Sequence, residues 1–312
     1  MRGWELACPR CATALFDQAA APQDTKDSTS EGSACCPGCG AEYVRRAGIW
    51  QFLRPEDQER IDRFLADYTH IRRAEGRGSI DPGHYRALPE VAATDPLAWQ
   101  WGIRQRSWCH AWKLLFAASA APQRIIDLGA GVGWLSNRLT LEGHDVLAVD
   151  VSLDDLDGLG AARHFECSFA RVQAHFDHLP LLDAQADVVL FNASLHYSAD
   201  YVVTLGEALR VLRPEGSIVV LDSPLYRRDS SGRQMVEERH ADFAQRFGRR
   251  SDSVPSRAYL TSAVLAELAE CYGLQWERSR PFYGLRWAAR PWVARLRRER
   301  EPSRFEVIVG RR

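Results

Sequence analysis

The chain has 312 residues, 46% hydrophobic and 26% charged, and its 40 basic and 41 acidic residues leave a net charge of −1. That composition excludes a disordered regulator, a fibre and a polycation, and at about 150 residues per domain the length suggests roughly two domains. The longest apolar stretch, Ala111 to Ala121, is cut by Lys113 and is too short for the roughly 30 Å of a bilayer core, so no membrane span is expected.

Five of the eight cysteines, Cys8, Cys11, Cys35, Cys36 and Cys39, fall within the first 39 residues. Cys8-Pro-Arg-Cys11 and Cys36-Pro-Gly-Cys39 are Cys-x-x-Cys knuckles. Each turn aims two thiolates at one point, and two turns complete the tetrahedron that zinc prefers. A redox pair is the competing reading, but it would sit at a helix start in a thioredoxin-like unit, and no such unit is evident. Four cysteines leave no open coordination position, so the expected metal is a structural Zn2+. Cys35 is the spare, because only Cys36 has the two-residue spacing to Cys39. Between the knuckles, Asp17 to Ser33 reads as a flexible polar loop. No apolar run of signal-peptide length precedes the first knuckle, so export is not expected and a cytoplasmic location is.

From Pro55 to Ala121 the pattern is helical. Ile61, Phe64, Leu65 and Tyr68 recur at helical spacing, as do Trp101, Trp108, Trp112, Leu115 and Phe116 within Ala98 to Ala118. Gly76-Arg-Gly78 and Asp81-Pro-Gly83 break the chain between them. Tyr68, His70 and Arg72 fit a helical lid over a substrate, although an amphipathic face explains them as well.

Beyond Gln123, short apolar runs alternate with helical patterns, which predicts an α/β fold with a mostly parallel sheet. Strands are expected at 124–128, 145–149, 170–174, 187–191 and 217–221, with two closing strands at 274–277 and 305–309. Helices are expected at 134–141, 201–212, 233–247 and 261–271.

The first strand runs through Asp127 into Gly129-Ala-Gly131-Val-Gly133 and then a helix. Glycines there allow a tight turn and close approach of backbone to a ligand. The Asp127 carboxylate beside the loop would repel a pyrophosphate but suits an ammonium or sulfonium. Asp150 ends the next strand about 20 residues on, where a carboxylate can accept both ribose hydroxyls. A nucleoside with a cationic tail fits both positions. A ligand-free turn and a helix cap are the plainer readings of the glycines and of Asp150.

Ile126-Asp-Leu-Gly-Ala-Gly-Val-Gly133 with Asp150 resembles the class I S-adenosylmethionine-dependent methyltransferases. The likeness continues through His175-Phe-Asp-His-Leu-Pro180, Asp187-Val-Val-Leu-Phe-Asn-Ala-Ser-Leu-His196 and Ala208-Leu-Arg-Val-Leu-Arg-Pro-Glu-Gly216. Glu215 stands where the family usually has a second glycine in this last turn. The resemblance implies a Rossmann-like methyltransferase sheet, mostly parallel with an antiparallel last strand. It places Gly129, Gly131 and Gly133 under the methionine moiety, Asp127 on its ammonium directly or through water, and Asp150 on the ribose. It also puts Asp177 on the adenine amino group with His178 nearby, and Asn192 at the sulfonium end. The cysteine segment resembles the small zinc-ribbon activators of tRNA, rRNA and release-factor methyltransferases. The expected division is a zinc ribbon over 1–54, a helical bridge or lid over 55–121 and a methyltransferase domain over 122–312.

Nucleobase and glutamine methylases often carry Asn/Asp-Pro-Pro-aromatic after the fourth strand. Asn192-Ala-Ser-Leu-His-Tyr197 instead resembles the branch that acts on small molecules. His196 and Tyr197 would lie at the cofactor's open end, where a histidine near neutrality accepts a proton; simple packing of His196 is the other reading. Tyr226 and Arg227 follow the fifth strand, where substrate loops occur. From Arg278 to Arg312 there are 11 Arg and three Glu, enough to keep an rRNA or tRNA base as the alternative acceptor, although a solvated face with Trp287 and Trp292 as core contacts explains the cluster more simply. A hydroxyl, amine or carboxylate of a small molecule is the expected acceptor, and a noncatalytic cofactor-binding scaffold is the reading of another class.

Overall fold

The computed structural model describes residues 3–15, 31–115 and 121–312. Most of the expected loop after Asp17, and Phe116, lie outside them. The described strands and helices begin with β1 (Gly32–Cys35), β2 (Glu42–Arg46), β3 (Ile49–Gln51), α1 (Pro55–Ala74), α2 (Pro82–Ala87) and α3 (Ala98–Leu115). The alternating part follows as β4 (Arg124–Leu128), α4 (Trp134–Leu141), β5 (Asp145–Asp150), β6 (Ala170–Gln173), β7 (Ala186–Asn192), α5 (Tyr201–Val211) and β8 (Leu212–Leu221). The chain ends with β9 (Leu225–Tyr226), α6 (Asp229–Phe247), β10 (Leu260–Thr261), α7 (Ser262–Tyr272), β11 (Gln275–Ser279), α8 (Leu285–Leu296) and β12 (Val307–Arg311).

Ten strands form one sheet in the order β1-β2-β3-β6-β5-β4-β7-β8-β12-β11. Pairing is parallel from β3 through β8. β12 runs antiparallel to both of its neighbours, as expected for the last strand. Local signals account for the helix ends. Asp200 caps α5 by accepting from the Val202 N–H at 2.8 Å, and the expected break at Asp81 is the start of α2, where the Asp81 side chain accepts from the Gly83 N–H at 2.8 Å. The expected Pro-Glu-Gly turn instead lies inside β8, with a register shift against β7 between Ala186 and Val188.

Both faces of the sheet are covered, so its central strands are apolar almost throughout. Ile126, Leu147, Val189 and Val220 pack under α5 and α7, while Ile125, Val146, Val188 and Val219 pack under α3 and α4. The cysteine segment joins the first of these cores. Trp50 of β3 pairs with Val172 of β6, the Phe52 N–H donates to the Gln173 carbonyl at 2.8 Å, and Trp4, Leu6, Tyr43 and Phe52 are buried among the sheet residues. A strand of three residues carries no alternation long enough to show this in the sequence.

Because the hairpin and the sheet share one core, Phe52→Ala is expected to lower the stability of the whole chain in a single transition, by the roughly 3–5 kcal/mol of a buried Phe truncation. A separate early transition in differential scanning calorimetry, with the main one unmoved, would show instead that the hairpin melts as an independent unit.

Candidate functional site

The carboxyl ends of β4, β5, β6 and β7 meet under the glycine loop. Gly129 has φ +75°, and a Cβ there would lie 2.4 Å from the Ser194 Cβ; one at Gly133 (φ +76°) would lie 2.9 Å from the Phe169 ring. Gly131 faces open space, and its N–H donates to Asp150 Oδ2 at 2.7 Å while Asp150 Oδ1 accepts from the Ser152 N–H at 2.8 Å. Each carboxylate oxygen keeps a free lone pair. Burial raises the Asp150 pKa.

Two chambers adjoin this loop. The apolar one is lined by Asp150, Val151 and Ser152 after β5, by Ala174, His175 and Phe176 after β6, and by Ile61, Phe64 and Tyr68 of α1 as a roof. The polar one runs under α1, α2 and α3 and is lined by Arg72, Arg77, Trp101, Arg104, Asn192 and His196 among others. Gly129, Gly131, Asp157, Tyr68 and Tyr197 border both. Tyr197 is held edge-on by Phe64 and Tyr68, at ring distances of 5.9 and 6.1 Å. Arg72 lies in the polar chamber but is bound through two nitrogens to Asp157.

Asp127 is fully buried. Its Oδ2 accepts from the Ser136 hydroxyl at 2.7 Å, and its Oδ1 is buried with no partner among the described residues. Burial, then the nearby Asp150, pushes its pKa up to about 7. Asp127 adjoins the glycine loop in the chain but lines neither chamber. Asn192 Oδ1, at the end of β7, is likewise buried without a partner. His196 is 7% exposed, with Nδ1 3.4 Å from the Ser223 hydroxyl. Burial, then the charges of Arg239 and Arg104, pushes its pKa down to about 3. It is therefore neutral near pH 7 but far from the near-neutral base that residue type alone suggests.

Six expected residues line neither chamber: Asp127 and Gly133 of the glycine-loop segment, and Asp177, His178, Tyr226 and Arg227. Asp177 turns to α5, where its carboxylate accepts from the Thr204 hydroxyl, and His175 and Phe176 line the cavity in its place. His178 follows it, with its N–H donating to the His175 carbonyl at 3.1 Å. Tyr226 is buried in β9, which pairs with β10, and Arg227 is an exposed residue whose N–H donates to Glu301 at 2.9 Å. Asp222, just after β8, has a left-handed backbone (φ +51°). Among the described residues, four of the eleven C-terminal arginines form ion pairs, one of them Arg311 with Glu277. Arg278 and Arg280 hold Glu306, and Arg300 holds Glu238. Trp287 stacks on Phe305, but Trp292, expected in the core, is 73% exposed. Arg77, Arg104 and Asp157 were not singled out from the sequence. Trp101, Arg104 and Trp108 share one helical face, so the signal for Arg104 was a charge inside an aromatic stripe.

The two knuckles have one geometry. Cys8 and Cys36 donate their N–H groups to the carbonyls of Thr13 and Ala41 and accept at their own carbonyls from Ala12 and Gly40. The four Sγ atoms of Cys8, Cys11, Cys36 and Cys39 lie within 4.8 Å of one another, with Cys8 to Cys39 at 3.6 Å and Cys11 to Cys36 at 3.5 Å. Thiolates about 2.3 Å from a tetrahedral ion are roughly 3.8 Å apart, so this donor set suits zinc. Cys35 is exposed and outside the cluster.

Two outcomes are expected. Metal analysis of the reduced protein should find about one zinc per chain, lost in Cys39→Ser; a metal-free but folded wild type would refute the zinc reading. Asp127 has a folded pKa of about 7 against an ordinary value of 3.8, so its contribution to ligand-free stability is complete below about pH 4 and disappears as pH rises through 7. The melting temperature of Asp127→Asn should therefore gain on that of wild type between pH 5 and 8, and parallel curves would exclude this titration.

Residues 126–220 match the methyltransferase domain family. The chain is 38% identical over 99 residues to an uncharacterized methyltransferase of Mycobacterium tuberculosis, covering 32% of this chain and 39% of that one. It is 27% identical over 167 residues to malonyl-[acyl-carrier protein] O-methyltransferase of Hahella chejuensis, covering 52% and 54%. The matches thus span between about two-fifths and half of these relatives. Among solved structures, the complex between the Haloferax volcanii Trm112 methyltransferase activator and a methyltransferase is similar at a TM-score of 0.47 and 19% identity, covering 67% of this chain and 91% of that one. Residues 126–220, which hold the glycine loop and the central parallel strands, thus match a methyltransferase domain.

Proposed function

We propose that the protein transfers the methyl group of S-adenosylmethionine to a small-molecule hydroxyl, amine or carboxylate. The observation that carries this reading is the pair of chambers joined at Gly129 and Gly131, one suited to a nucleoside and the other enclosed by helices. The cofactor supplies an electrophilic methyl carbon on a sulfonium. Asp150 would accept the ribose hydroxyls through its free lone pairs, Asp127 the ammonium, and His175 and Phe176 would flank the base. The Gly131 N–H holds Asp150 in place. Asn192, His196 and Tyr197 would then border the acceptor, and displacement needs alignment and exclusion of water more than a strong base.

The depressed pKa of His196 supports a hydrogen-bonding rather than a proton-accepting role. An acceptor that is already nucleophilic, such as a carboxylate or a neutral amine, suits such a site better than an alkyl hydroxyl. The name of the Hahella chejuensis relative, an O-methyltransferase, agrees with an oxygen acceptor. The ribbon and the helical roof are proposed as separate supports of the 122–312 domain, with boundaries near 54 and 121. The RNA alternative draws less support, because the paired C-terminal arginines lie outside both chambers.

In calorimetry, Asp150→Ala should weaken S-adenosylhomocysteine binding by about tenfold or more, the scale of a lost charge-assisted pair of hydrogen bonds. Incubated with methyl-labelled donor and a cell extract, the wild type should label the low-mass fraction. Label confined to RNA, or unchanged affinity in the variant, would reject the reading.

A further inference from the structure

We infer that Arg104 of α3 is a carboxylate-binding residue that projects into the polar chamber. The inference rests on the methyl-transfer reading and assigns a ligand group to the chamber which that reading leaves open.

The other basic side chains named in the chamber already have partners. Arg72 is bound to Asp157, Arg77 donates to Glu75 at 3.0 Å and to Gln100, and His84 stands 3.7 Å from Asp95. Arg104 differs from all of these. Among the described residues it donates no hydrogen bond and has no carboxylate oxygen within 4.0 Å. Its guanidinium lies over the Trp101 ring at 4.8 Å, and Trp101 in turn packs edge-on against Trp134 of α4 at 6.0 Å. The aromatic pair fixes where the cation sits without neutralising it.

Burial, then repulsion from Arg77 and Arg72, pulls the Arg104 pKa down to about 10, and Asp222 attracts it only from a distance. It remains charged at neutral pH. Asp222 itself is engaged through Oδ1 with the Ser107 hydroxyl. The side chain is half-buried and lines the chamber, so its unpaired guanidinium is open to an anion that enters there. Its planar fork of donors matches a carboxylate, which can bind through both oxygens.

Two molecules bring a carboxylate to this end of the glycine loop. One is the amino-acid tail of the cofactor, and the other is an acidic acceptor. Three titrations separate them: S-adenosylhomocysteine, which has the tail; 5′-methylthioadenosine, which lacks it; and malonate added to the S-adenosylhomocysteine-loaded protein. If the tail is the partner, Arg104→Gln loses about tenfold or more in S-adenosylhomocysteine affinity and nothing for methylthioadenosine. If the acceptor is the partner, both nucleosides bind normally and malonate binding, present in wild type, is lost. In either case Arg104→Lys, which keeps the charge without the fork, recovers part of the loss, and ligand-free Arg104→Gln melts no lower than wild type. Three unchanged titrations would overturn the inference while leaving the nucleoside site standing. So would a lower melting temperature of Arg104→Gln with unchanged affinities, the mark of a structural pair with Asp222. Failure of wild type to bind either nucleoside would instead overturn the methyl-transfer reading and this inference together.

Discussion

The bond from the Gly131 N–H to the Asp150 carboxylate, at 2.7 Å, is the contact on which the candidate site depends. It ties the loop after one parallel strand to the end of the next, so the two cannot move apart. A left-handed backbone at Gly129 is what lets the loop fold back far enough, under Ser194, for that amide to reach. Parallel strands make this arrangement natural, since their carboxyl ends all open on one side and the connecting helices leave a crevice there. Asp127, one strand over in β4, adds a second carboxylate that is fully buried and lines neither chamber.

What covers the glycine loop sets the chemistry. On the apolar side α1 contributes Ile61, Phe64 and Tyr68, and the low polarity there favours the flat face of a base. On the polar side α2 and α3 bring arginine and histidine instead. The boundary between the two runs through Tyr68 and Tyr197, whose rings are packed against each other, next to the buried His196. Desolvation therefore acts with opposite consequences within a few residues. It holds Asp127 close to neutral and His196 uncharged, yet leaves Arg104 charged because guanidinium starts so much higher.

The cysteine segment is bound to the same framework by β3 and Phe52 rather than hanging from it. Four thiols brought this close would repel one another as thiolates, and a divalent ion converts that repulsion into attraction. Long spacing between the knuckles raises the closure cost only logarithmically.

Much of this was legible in the sequence, and for a physical reason. Strand and helix periodicity is a local property, so the elements from Arg124 to Tyr272 lie close to where apolar spacing puts them, and the glycine pattern, Asp127, Asp150 and the Cys-x-x-Cys pairs are set by short-range geometry. Residues whose role depends on where a loop points were not legible. Asp177 has the right neighbours in sequence but turns to Thr204, and Tyr226 and Arg227 are engaged by β10 and by Glu301. Nor does spacing show that β3 docks beside β6, or that Arg104 has no counterion among the described residues while Arg72 and Arg77 have theirs. Those facts depend on which distant side chains meet across the fold, and only the packed tertiary structure decides them, because charge compensation and burial are properties of a place and not of a residue.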